Sequence, residues 1–260
     1  MAILSAEQQI EFFRGIPWCA AHLSSPSLVI EESESHRQKP TRLDSLISRT
    51  LNRPDAIPAY ITFYHVPPVS SSAPTSTTSS SSSASAATGP TPSSSHSQQP
   101  QQKHDQYGTA TTASGAKTDH GTEQGATGLL ISEIKALVAL GPMLNGWEGV
   151  CHGGMVVTLL DEVMGQVFAA NRRHGLLPRD APATMTAYLN TRFERPVRTG
   201  GSHGGDGSGG VNANPAVVLV SARLRRRDRR KFWLDGDVSG PNGEVFARAE
   251  GLFIMLRSKL

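Results

Sequence analysis

Gly149-Val150-Cys151-His152-Gly153-Gly154-Met155-Val156-Val157-Thr158-Leu159-Leu160-Asp161-Glu162-Val163-Met164-Gly165 decides how this 260-residue chain is read. From Gly153 to Arg173 the apolar residues Met155, Val156, Leu159, Leu160, Val163, Met164, Val167 and Phe168 recur at three- and four-residue steps, the period of a helix. They nearly encircle it, so the helix is predicted to be central and buried. Arg172, Arg173 and His174 fall in its last turn and Gly175 follows as a stop. Burying a carboxylate without partners is very costly. Asp161 and Glu162, set inside such a helix, are therefore expected to be paired or functional.

Outward from the helix, β-branched and aromatic runs predict strands at Ala59–Val66, Leu129–Leu140, Thr184–Phe193, Ala216–Leu224, Phe232–Val238 and Val245–Leu256. Asp228 is expected in one hairpin turn and Gly240-Pro241-Asn242-Gly243 in the next. Two strands, a long helix and four strands fit an α+β domain, one antiparallel sheet wrapped around one buried helix. Its bounds are 59–256. Before it lies an N-terminal extension, 1–58. There Ser5 and Gln8 can cap a helix over 5–14, Pro17 is expected to end it, and 26–58, which shows no clear period, is expected to wrap the surface. Gly200–Asn214 reads as a Gly-rich mobile connection.

Apolar residues make up 37% of the chain, below the roughly 45–50% of an average domain. The deficit falls on 69–128, a run of Ser, Thr, Pro and Gln expected to be a disordered insertion, because it cannot bury enough apolar area to offset its ordering entropy. A phosphorylated or partner-binding role for it stays open. A net charge of +3 is no argument for nucleic acid. Cys19 and Cys151 form no CxxC, which speaks against a zinc site or a disulfide framework and suits a reducing compartment. No unbroken apolar run approaches the roughly 20 residues of a membrane span. The N-terminus lacks a basic, apolar leader, and Glu7 and Glu11 argue against a mitochondrial presequence, so a cytoplasmic location is expected, with mitochondria left open.

The stretch from Gly149 to Gly165 resembles the signature of hotdog-fold acyl-CoA thioesterases, closest to the phenylacetyl-CoA and THEM-like branches and to fungal thioesterase-domain proteins. These carry His-Gly-Gly and an acid nine residues after the His; Asp161 is nine after His152. They also carry a hydroxyl residue ten before a strand-ending Pro; Thr186 is ten before Pro196. The resemblance covers Tyr60–Val66 and Leu129–Leu256. It implies a hotdog fold, hydrolysis of acyl-CoA to free acid and CoA without metal or cofactor, and a homodimer or dimer of dimers. It also implies Asp161, Gly153, Gly154, His152 and Thr186 as catalytic residues. One departure stands out. Where some relatives carry an Asn six residues before the His, this chain has Gly146, with Asn145 one position off.

The residues support a physical reading beside the resemblance. Two glycines opening a helix leave N–H groups free to stabilise an oxyanion. Asp161 lies about 13 Å along the helix from His152, at roughly 1.5 Å per residue. That is too far to serve its own helix start, so two chains are expected to build each site. Asp161 would act as general base for water or as nucleophile, with Thr186 holding the water or the carboxylate. Glu162 is the rival acid, and pairing with an Arg is its structural alternative. His152 either transfers a proton or only shapes the turn. Cys151 has no His-Asp support as a nucleophile. The cluster around Arg226, Arg227 and Arg229 is either a solvated strand edge or a dock for CoA phosphates; few aromatics flank it, against nucleic acid. A non-catalytic acyl-CoA-binding protein and a hydratase or dehydratase of the same fold are the rival functions.

Overall fold

A computed structural model describes residues 3–40, 44–67, 130–200 and 215–257. The expected insertion at 69–128 and nearly all of the Gly-rich connection lie outside the described residues. In chain order come α1 (Ala6–Arg14), α2 (Pro17–His22), β1 (Leu28–Glu32), a π-helical turn (Leu46–Leu51), β2 (Tyr60–His65) and β3 (Glu133–Leu140). A 3-10 turn (Pro142–Leu144) leads into a two-stranded hairpin of β4 (Asn145–Trp147) and β5 (Val150–Cys151), then α3 (Gly153–Arg173). β6 (Thr184–Phe193), β7 (Ala216–Asp228), β8 (Lys231–Ser239) and β9 (Val245–Met255) complete the chain.

Seven strands form one antiparallel sheet in the order β1-β2-β3-β7-β8-β9-β6. Successive side chains of a strand point to opposite faces; one face is covered by α3, the other in part, over β2, β3 and the start of β7. On one, Tyr60, Ile134, Val138, Val220 and Ala222 pack with Leu159, Leu160, Val163, Met164 and Val167 of α3. On the other, Ile61, Phe63, Leu137, Ala139 and Leu219 pack with Phe13, Cys19 and Leu23 of the N-terminal extension. The helix seats closely because the sheet offers glycine beneath it. A Cβ at Gly236 would stand 2.8 Å from Met164 Cε and 3.1 Å from Leu160 Cδ2; one at Gly251 would stand 3.1 Å from Met164 Sδ. This is a hotdog fold, one antiparallel sheet around one long helix.

Several expectations need correction. Pro17 does not stop the helical region; it opens α2 from its first turn, where its missing N–H is not needed. The segment 26–58 does more than wrap the surface, since β1 pairs with β2 from Leu28↔His65 to Glu32↔Ile61 and makes one sheet edge. β3 begins at Glu133, not Leu129. β7 runs on to Asp228, so the turn is Arg229-Arg230, with Arg229 at φ 51. By length and composition α3 is one helix that could cross a membrane, 21 residues with a mean hydropathy of 1.2 in its best window, half of which is buried. The polar breaks at Thr158, Asp161 and Glu162 interrupt the apolar run without lowering that average much.

The extension is held by specific bonds as well as by packing. Gln9, fully buried, accepts from the Tyr60 N–H at 2.9 Å and donates to Leu4 O at 3.2 Å and to Glu32 at 3.0 Å. His36, also fully buried, bonds Ile57 O through Nε2 at 3.0 Å, and its Nδ1 stands 3.7 Å from Glu32.

Candidate active site

The β4–β5 hairpin delivers the chain to the start of α3. His152 is the N-cap residue; its Nδ1 accepts from the Gly154 N–H at 3.0 Å. Nδ1 is therefore unprotonated, and the ring proton sits on Nε2. A Cβ at Gly154 would stand 3.0 Å from that nitrogen, so the second glycine makes room for the cap. The bond also occupies one of the two N–H groups expected to be free. Among the described residues, the Gly153 N–H has no partner, and a Cβ at Gly153 would meet the exposed ring of Phe193 at 3.4 Å.

Gly146 and His152 approach closely. A Cβ at 146 would stand 2.8 Å from His152 Cα, so no side chain fits there. The β4–β5 register shifts between Asn145 and Trp147, and Asn145 stands opposite Cys151. The Asn145 side chain accepts from Thr199 Oγ1 at 2.5 Å. Gly146 is thus the bulged residue of this short hairpin. Cys151 is buried, its thiol is pushed up to about 11 by that burial, and Sγ points to His152 O at 3.7 Å. It is no thiolate at neutral pH.

Farther along α3, Thr186 Oγ1 donates to Asp161 Oδ1 at 2.7 Å. A bulge in β6 makes both this bond and the Phe193–Gly153 approach possible. The β6–β9 register shifts between Thr186 and Tyr188. Before it, Thr184 and Thr186 turn to α3; after it, Leu189 reaches Gly251 and Phe193 reaches Gly153. The inward set changes from even to odd residues, as an inserted residue requires. Nothing in the local sequence Thr186-Ala187-Tyr188 marks this bulge.

Asp161 and Thr186 line a cavity of about 230 Å³, together with Glu162, Gly165 and Gln166 of α3. Glu34, Ser35 and Asp44 of the N-terminal extension form another wall, which the sequence did not suggest. Burial, reinforced by the charges of Asp44 and Asp161, raises the Glu162 carboxyl above the usual range; Ser35 and Lys39 oppose this. The expected Arg partner of Glu162 is absent among the described residues. His152, Gly153 and Gly154 do not line this cavity, so within one chain the acid and the helix start are separate features.

The arginine cluster occupies the β7–β8 hairpin. Arg226 lies over Trp233 at 4.6 Å and Arg227 over Phe232 at 5.3 Å. Arg223 pairs with Glu133 at 2.8 Å and Asp237 at 3.3 Å, and Arg225 with Asp235 at 2.7 Å. Arg229 sits exposed in the turn. Aromatic residues thus do flank the cluster, as platforms for its own arginines.

Residues 148–202 match the Thioesterase superfamily, a span holding the helix start, Asp161 and Thr186. That span lies within the hotdog fold described above. It is 29% identical over 117 residues to an acyl-coenzyme A thioesterase, THEM4, of Bos taurus, covering 45% of this chain and 38% of the relative. It is 30% identical over 131 residues to verlamelin biosynthesis protein B of a Lecanicillium species, covering 43% and 46%. The match spans less than half the length of both curated relatives. Among solved structures, a thioesterase superfamily protein is similar at 29% identity and TM-score 0.35, covering 47% of this chain and 48% of that one. A Bacillus halodurans protein solved with CoA is similar at 25% identity and TM-score 0.35, covering 47% and 66%.

Proposed function

We propose that this domain hydrolyses acyl-CoA thioesters to free acid and CoA, with Asp161 activating water or attacking the carbonyl. The observation that carries the reading is the Thr186–Asp161 hydrogen bond at 2.7 Å inside an open cavity. The Thr hydroxyl engages Oδ1 and fixes the carboxylate plane, leaving Oδ2 for water or for the thioester carbon. The Gly153 N–H, at the positive end of a 21-residue helix, supplies an oxyanion donor. His152 acts through the Gly154 N–H as a positioning residue. Arg226, Arg227 and Arg229 would take the CoA phosphates.

The acid of one copy would serve the helix start of another. β6 is the open edge of the sheet, ten residues long, with Met185 and Phe193 each 52% exposed. Such an edge invites a second strand, and a two-fold dimer through it would cover these side chains. A larger assembly, a dimer of dimers, would build on the same pair.

Thiol release from acyl-CoAs of varied chain length tests the reading. Asp161→Asn should lower kcat by about 10²–10⁴, the usual worth of a general base, while His152→Ala should cost less than tenfold. Gly153→Val should also be inactive, because a β-branched side chain blocks approach to the helix start. Mixing it with Asp161→Asn should restore roughly one quarter of wild-type activity in random heterodimers. Heterodimers that form without recovery would sink the shared site. Near-wild-type kcat in Asp161→Asn would shift the acid to Glu162. A protein that only binds acyl-CoA would release no thiol in any form.

A further inference from the structure

The wall that the N-terminal extension adds to the Asp161 cavity is rich in hydrogen-bond acceptors. Glu34, Ser35 and Asp44 face Asp161, Glu162 and Gln166 across it. Glu34 pairs with Arg173 at 2.7 Å and Asp44 with Lys39, yet neither cation lines the cavity. Gln166 is 6% exposed; its Nε2 donates to Ser33 at 2.7 Å and to Tyr60 at 3.0 Å. The same Nε2 also stands 3.4 Å from Ser35 Oγ, which ties the wall to α3. Glu34, Asp44, Asp161 and Glu162 put four carboxyl groups in the lining with no cation among them, so a well-matched occupant brings donors.

Charge decides which end of an acyl-CoA enters. CoA carries phosphates, and carboxylates in the lining repel them. The acyl group is the end that fits. Room for an acyl group exists: a cavity of about 150 Å³ holds benzene, and this open one measures about 230 Å³.

We propose that the N-terminal extension, through Glu34, Ser35 and Asp44, makes this domain select acyl groups bearing a hydroxyl or ammonium donor and reject carboxylate-terminated ones. The proposal rests on the Asp161 cavity being the acyl site. Extension residues would then determine specificity for a reaction whose catalytic groups lie elsewhere in the chain.

The test compares butyryl-, 3-hydroxybutyryl- and malonyl-CoA as substrates of the full chain. It also measures dissociation constants for the matching non-hydrolysable thioethers, S-butyl-, S-(3-hydroxybutyl)- and S-(carboxyethyl)-CoA. Wild type should prefer hydroxybutyryl to butyryl by about tenfold in kcat/KM, the worth of one well-made buried hydrogen bond. It should disfavour malonyl by at least about tenfold. In E34Q/D44N the malonyl-to-butyryl ratio should rise at least about fivefold as the repulsion is removed. Should loss of the Arg173 pair unfold the double variant, D44N alone carries the comparison. Equal selectivity for all three acyl groups, or a ratio unmoved by the variants, would overturn the proposal. Thioethers that bind in the expected order without any thioester turnover would uphold the proposal and sink hydrolysis instead. Turnover without that order would do the reverse.

Discussion

α3 covers one face of the sheet and the N-terminal extension covers part of the other, and the two covers are built differently. The helix uses a continuous apolar stripe that meets glycine in the sheet at Gly236 and Gly251. The N-terminal extension uses a few anchors, Phe13, Cys19 and Leu23, and adds a buried glutamine at the backbone of β2. Both covers add polar pins to their packing: on α3, Gln166 donates to Tyr60 and Asn171 bonds both backbone groups of Ile131. The extension differs in that it also reaches round to supply Glu34, Ser35 and Asp44 to the cavity beside α3. A cover that both seals a core and forms a pocket wall can change specificity without touching the helix that bears the acid.

The strongest way to break this contrast is to truncate one anchor on each side. Leu160 of α3, fully buried, should cost about 2–5 kcal/mol as Leu160→Ala, and Phe13, equally buried, about 3–5 kcal/mol as Phe13→Ala. Each kcal/mol should lower the midpoint by roughly 2–4 °C in a chain of this size. Thermal unfolding should stay a single transition in both variants. A separate early transition in Phe13→Ala alone would mean that the extension unfolds independently and is a loose cover.

Gln9→Leu isolates the polar pin. The leucine fills similar space but leaves the Tyr60 N–H, bonded at 2.9 Å in the native chain, without its acceptor. The expected loss is about 1–3 kcal/mol, the usual cost of a buried unsatisfied group. Amide exchange at Tyr60 is the direct readout. Unchanged protection there, with unchanged stability, would show that β1 and packing alone hold the extension.

The two covers were unequally legible in the sequence. α3 was readable end to end because a buried helix must repeat its apolar residues every three or four positions, and Gly175 at φ +69 marks its end. The capping box of Ser5 and Gln8 was readable for the same local reason. β1 was not, because Leu28-Val29-Ile30-Glu31-Glu32 is a short edge strand, half-buried throughout, with no alternation to detect. Of the site, the residues near Asp161 were visible as an acid in an apolar helix. Neither the cap on Gly154 nor the parity change in β6 had a local signal, since both depend on how segments distant in sequence meet. The acceptor wall is invisible for that reason too: Glu34 and Asp44 look like ordinary surface acids until the fold sets them opposite Gln166.

The smallest expected effect sharpens the contrast most, because its sign differs between the covers. Glu32 lies in the pinned extension, where His36 beside it and the Gln9 amide hold its carboxyl below the usual 4.5 against the opposing effect of burial. A depressed carboxylate stabilises the fold fully above its unfolded value, and that contribution disappears as pH falls through the folded value. Glu32→Gln should therefore be less stable than wild type at neutral pH, with the gap closing in acid below about 4.5. Glu162, on α3, is raised from 4.5 by burial first and then by Asp44 and Asp161. Its protonated form suits the folded state, so that contribution is complete below the unfolded value and is lost as pH rises through the folded one. Glu162→Gln should match wild type in acid and exceed it above the raised value. Melting midpoints of both variants from about pH 3 to pH 8 would thus diverge from wild type in opposite directions. If both fall below wild type at neutral pH, Glu162 is stabilised as a carboxylate, and the wall facing it must hold a donor that Ser35 and Lys39 do not account for.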